Sequence, residues 1–193
     1  TQLGGGIQIF TKAGMRKRFI DTGRFIPSAV AFAPDHSVWT FGNRFLDPGF
    51  RDYFILHHYL QDGSHRGEYL PRSGFATDDE PGHAAHGGWQ LRVSGKRIGA
   101  ALHGKLDNVC WIELDLQGRQ IGRWLTGNSM PIAFTASGTV YAREIVGISV
   151  LDRATGQWRP VVPPFGGKLL GHDGDNLVFM DGNLLTWVPP PAE

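Results

Sequence analysis

The residues best suited to chemistry in this 193-residue chain gather in two stretches with little strand-forming pattern. The first, 43–52, reads N-R-F-L-D-P-G-F-R-D and carries Arg44, Asp47 and Arg51. The second, 71–88, reads P-R-S-G-F-A-T-D-D-E-P-G-H-A-A-H-G-G. There Asp78, Asp79 and Glu80 precede an H-x-x-H pair, His83 and His86. Imidazole and carboxylate are donors that suit a divalent metal, which makes His83, His86 and Asp79 the candidate ligands. The pair is loosely held. An i, i+3 spacing keeps two side chains on one side in a helix, not in a loop, and Gly82, Gly87 and Gly88 leave this stretch flexible. A solvated polar loop is the competing reading, and no cofactor is assigned.

Other groups are weaker. Arg24, Arg44 and Arg51 with Lys105 could meet an anion, but Asp47, Asp52 and Asp107 stand close in sequence and offer local ion pairs instead. His57 and His58 are adjacent in a strand-like run, where neighbours face opposite sides, so at most one of them joins any site. Gly4-Gly5-Gly6 has neither a phosphate-loop pattern nor a following helix, and no G-x-S-x-G elbow occurs. Cys110, the single cysteine, excludes an internal disulfide and a Cys-rich zinc centre; beside Trp111 in an apolar run it reads as a buried, inert thiol. Nineteen basic against eighteen acidic residues leave a formal charge of +1, which gives no field to attract nucleic acid or an anionic membrane. No apolar run approaches the roughly 18 residues that span a bilayer.

What must position these groups is legible in the turns. Gly is 27 of 193 residues, twice the usual share, and helical periodicity is sustained nowhere. Four polar turns, 12–14, 61–64, 116–118 and 154–156, each sit between runs rich in β-branched and aromatic residues. Their glycines, Gly14, Gly63, Gly118 and Gly156, recur about every 47 residues. A second series, 33–36, 94–96, 136–138 and 173–175, falls between them. Each period therefore holds two hairpins, or four strands, with 29–33, 89–93, 132–135 and 168–171 as first strands. Repeats of this kind predict an all-β chain, a β-propeller of about four four-stranded antiparallel blades in a single domain over 1–188, with a Pro-rich tail at 189–193. The outermost pieces hold incomplete blades, which favours an open arc or the C-terminal part of a larger propeller over a closed four-bladed ring. Trp39, Trp111, Trp124 and Trp158 are expected between sheets. In this scheme both long stretches, 43–52 and 71–88, emerge on one rim, while the other face carries tight turns.

The run F-I-P-S-A-V-A-F-A-P-D-H-S-V-W-T at 25–40 resembles the blade motif of bacterial six-bladed, NHL-like propellers, as do I-E-L-D-L-Q-G-R-Q-I-G-R-W at 112–124 and V-L-D-R-A-T-G-Q-W at 150–158. That resemblance implies a periplasmic or secreted location. With no catalytic constellation in view, the first functional reading is a non-enzymatic module binding a protein, peptide or glycan on the rim formed by Arg44, Asp47, Arg51, Asp78, Asp79, His83 and His86. The partner could also be missing blades of a longer chain or a second copy. The alternative is a metal-dependent hydrolase similar to propeller lactonases. Their Glu, Asn and Asp metal ligands have no counterpart at the first-strand ends here, where Trp89, Pro131 and Lys168 stand.

Overall fold

The computed structural model describes residues 5–44, 52–74, 90–103, 109–127, 131–163 and 166–191. Among them the helical content is one 3-10 turn, Arg72–Gly74. The strands form five antiparallel sheets. The first pairs β1 (Gly5–Phe10) with β2 (Arg16–Gly23). The second is a meander of β3 (Phe25–Phe32), β4 (Val38–Arg44), β5 (Phe54–Tyr59) and β6 (His65–Pro71). The third runs β7 (Gln90–Ser94), β8 (Arg97–His103), β9 (Val109–Asp115) and β10 (Gln120–Gly127), and the fourth β11 (Ile132–Phe134), β12 (Val140–Arg143), β13 (Ile148–Asp152) and β14 (Gln157–Val161). The fifth holds β15 (Lys168–Asp173), β16 (Asn176–Asp181) and β17 (Leu184–Val188). Strands β3, β7, β11 and β15 lie side by side in that order. This is a β-propeller, as the turn spacing predicts: three complete four-stranded blades with a partial sheet at either side. The first and fifth sheets share no ladder among the described residues, so they do not join into one blade.

The hairpins owe their geometry to the residues picked out by spacing. Gly14, Gly63, Gly118 and Gly156 sit at φ of +79°, +87°, +82° and +73°, a region that costs a side-chain-bearing residue about 1–2 kcal/mol. In the first three of these turns the glycine N–H donates to the carbonyl three residues back, Thr11, Leu60 or Asp115. Asp62, Asp115 and Asp152 brace the outer turns, each accepting the backbone N–H two residues on. In the turn at 33–36 His36 takes the glycine's place at φ +63°.

Alternation along each strand builds the cores between blades. Ile98, Ala100 and Leu102 of β8, with Cys110, Ile112 and Leu114 of β9, pack on Trp39, Phe41 and Leu56 of the second sheet. The intervening Ala101, Val109 and Trp111 pack the other way, on Phe134 and Val140 of the fourth. Two further cores join the first sheet to the second and the fourth to the fifth. Trp39 and Trp111 are wholly buried, as expected. Trp124 and Trp158 depart from expectation: they pack against the core between the third and fourth sheets but stay half-buried, because both stand on outermost strands. Cys110 is buried with its thiol pushed upward by burial, and Arg123 Nε donates to its sulfur at 3.2 Å.

Candidate functional site

The antiparallel order places the ends of second and fourth strands and the starts of first and third strands on one face of the sheets. Three hydrogen bonds tie the residues before β5 to those after β6 there. Ser73, just past β6, donates its backbone N–H to Asp52 Oδ1 at 3.0 Å and its hydroxyl to Oδ2 at 2.9 Å, and Arg72 N–H donates to the Tyr53 carbonyl at 2.8 Å. A cavity of about 490 Å³ opens beside these residues, between the first and second sheets. Arg24, Arg44, Asp52 and Tyr53 line its mouth, and His57 and Glu68 come from the strands beneath. Of the predicted rim residues, Arg44 is placed in this cavity; Asp47, Arg51, Asp78, Asp79, His83 and His86 lie outside the described residues.

The strand-borne part of the site is built by β5 and β6. His57 and His58 point to opposite sides, as alternation requires. His58 stacks on Trp39 of the core between the second and third sheets, with ring centroids 4.0 Å apart, and His57 stacks on Phe25 at 3.7 Å on the cavity side. Cross-strand from His57 is Glu68, with His57 Nε2 3.9 Å from Glu68 Oε1. His65 Nε2 approaches the same oxygen at 3.7 Å. His57 Nε2 lies 3.1 Å from the Phe54 carbonyl and Nδ1 3.5 Å from the Tyr59 hydroxyl. Burial holds His57 below the ordinary imidazole range against the pull of Glu68, which favours the neutral ring. Burial, with Glu68 and Asp21 nearby, pushes the Tyr59 phenol up to about 12. The sequence singled out the His57-His58 pair but not its partners, whose approach depends on strand register.

Sequence reasoning missed two further features. A cavity of about 660 Å³ lies on the tight-turn face, lined by Arg18, Asp35, His36 and Asp62 among others. Turn length gives no hint of it, since a space between blades depends on how far two turns stand apart. The second is Glu113, fully buried in β9. It accepts Trp111 Nε1 at 2.9 Å, Arg97 Nη1 at 3.0 Å and Arg153 Nη2 at 2.7 Å, and Arg153 also donates to the Gly138 carbonyl at 2.6 Å. One signal was available: a carboxylate in the middle of the buried run V-C-W-I-E-L requires a partner.

Among the described residues, the starts of the innermost strands carry no acidic donor set. Strands β3, β7, β11 and β15 begin at Phe25, Gln90, Ile132 and Lys168, and the Gln90 amide oxygen is engaged by Ile132 N–H at 2.8 Å. A metal at the channel mouth, as the lactonase resemblance implies, does not fit these residues.

No family model matches the chain, and no curated protein matches it significantly. Among solved structures it is similar to a gluconolactonase of Xanthomonas campestris, described as important in glucose secondary metabolic pathways, at 14% identity with a TM-score of 0.54. The match covers 95% of this chain and 65% of that protein, so the chain spans less than two thirds of its neighbour's length. A likeness at that identity carries the fold. It also counts against the first functional reading, the non-enzymatic binding module, because the solved neighbour on this scaffold is an enzyme. Sheet order, inner-strand adjacency and this likeness together establish the β-propeller fold.

Proposed function

We propose that this propeller is a hydrolase that opens a cyclic ester, with its reaction centre in the rim cavity between the first and second sheets. The observation that carries the reading is Asp52, a carboxylate held by both the N–H and the hydroxyl of Ser73 in a cavity also lined by Arg24 and Arg44. A carboxylate fixed at both oxygens keeps lone pairs for a water molecule, and it is preorganised as a general base. The water oxygen bonds to the ester carbonyl carbon while its proton passes to Asp52. Negative charge then develops on the carbonyl oxygen, where the arginines supply compensating charge. Collapse breaks the bond from the acyl carbon to the ring oxygen, which takes the proton from Asp52, and the new carboxyl group ionises against the arginines. A sugar-acid lactone, of the kind implied by the neighbour's name, is the first substrate to test. The blade motif at 25–40 supports placing these blades within a six-bladed, NHL-like ring.

The test is the rate of acid release from a panel of γ- and δ-lactones, followed by pH-stat. Asp52→Asn is expected to lower kcat about 10²–10⁴-fold and Arg44→Gln about 10²–10³-fold, while Asp62→Asn, in a tight turn of the opposite face, leaves it unchanged. No lactone opened above the buffer rate, or an Asp52→Asn variant at full rate, refutes the reading.

A further inference from the structure

The geometry points to a divalent metal site of the zinc class formed by His57, His65 and Glu68. The two imidazole nitrogens and the carboxylate oxygen all lie within 4.8 Å of one another. Tetrahedral zinc, with bonds of about 2.0–2.2 Å, spaces its donors about 3.4 Å apart. The observed 3.7 Å and 3.9 Å therefore close by small side-chain rotations. Two histidines and one carboxylate, with a position left for water, are a donor set zinc uses in catalytic sites, and imidazole disfavours calcium and magnesium.

The backbone explains why these three residues meet. In a regular strand His65 and Glu68, three apart, would face opposite sides. Pairing across β5 and β6 runs His57 with Glu68 and His58 with Gly67, then shifts so that Tyr59 pairs with His65. Arg66 is the extra residue of a β-bulge. The bulge turns His65 onto the face that Glu68 and His57 already share, which is the re-aiming that bulges commonly perform beside sites.

An outer shell is also in place. The Phe25 ring lies on His57 and fixes its plane. In the metal-free chain Nε2–H donates to the Phe54 carbonyl. With Nε2 bound to an ion, the proton moves to Nδ1, where the Tyr59 hydroxyl oxygen stands 3.5 Å away to accept it. His57 and Glu68 also line the rim cavity, so the ion would border the proposed reaction centre. The site does not depend on hydrolysis: metal binding without lactone opening, or the reverse, separates the two proposals.

Zinc titrated into the full chain against a chromophoric chelator is expected to saturate at one equivalent. His65→Ala and Glu68→Gln, both on the half-exposed outer strand, should each weaken binding tenfold or more and keep the metal-free unfolding midpoint. Zinc should raise the wild-type midpoint more than it raises those of the variants at the same concentration. Absence of saturation at one equivalent overturns the site. So does equally tight binding in both variants, which would assign the ion to other ligands such as His83 and His86.

Discussion

Replacing Glu113 by glutamine keeps the side chain's shape and removes its charge, so it isolates what the buried carboxylate does between the third and fourth sheets. Arg153 loses its charged acceptor: its Nε lies 3.0 Å from both Glu113 oxygens and its Nη2 2.7 Å from one. Arg97 contributes less, because 41% of its side chain is exposed and water can replace the pair. Breaking a buried pair by removing one partner costs about 3–5 kcal/mol. The Arg153 side chain is 27% exposed and recovers some hydration, which places the expected loss near the lower end, about 3 kcal/mol. For a domain of this size that is a fall in Tm of about 6–12 °C, a large part of a total stability of about 5–15 kcal/mol. Urea denaturation followed by tryptophan fluorescence reads it as a lower midpoint at unchanged slope. The double variant Glu113→Leu/Arg153→Met, which leaves no orphaned charge, should recover most of the loss. A Glu113→Gln loss below about 1 kcal/mol would refute the argument that this network joins the two blades.

Gly118→Ala should destabilise by about 1–3 kcal/mol more than Gly14→Ala in the same assay, because both glycines have positive φ but of the two only Gly118 would place a Cβ against a neighbour, the Tyr69 ring. Equal losses would show that the ring moves aside freely. Tyr59 is expected to ionise well above an unfolded tyrosine in an ultraviolet titration, since its phenol is pushed up to about 12 while an unfolded tyrosine titrates near about 10. Between those values the folded chain binds the extra proton, so its contribution is complete below about pH 10 and is lost as pH rises toward about 12. Tm should accordingly fall less steeply over that range in Tyr59→Phe than in the wild type, and equal slopes would exclude the assignment.

Local chemistry made the hairpins legible. Gly14, Gly63, Gly118 and Gly156 adopt a backbone conformation that glycine enters without a steric cost, so their recurrence in the sequence already marks the blade period. The same holds for strand alternation, which predicts that His57 and His58 part company and that Trp39 and Trp111 enter the cores. Trp124 and Trp158 show where that reasoning stops, because alternation tells which face a residue takes and not whether another blade covers it. The candidate sites lie further from reach. His65 joins His57 and Glu68 through a one-residue register shift, Glu113 meets Arg153 across two sheets, and Asp52 meets Ser73 across a blade. Such contacts depend on pairing offsets and inter-blade distances, which are collective properties of packed sheets; no residue type specifies them on its own, so only the tertiary structure decided them.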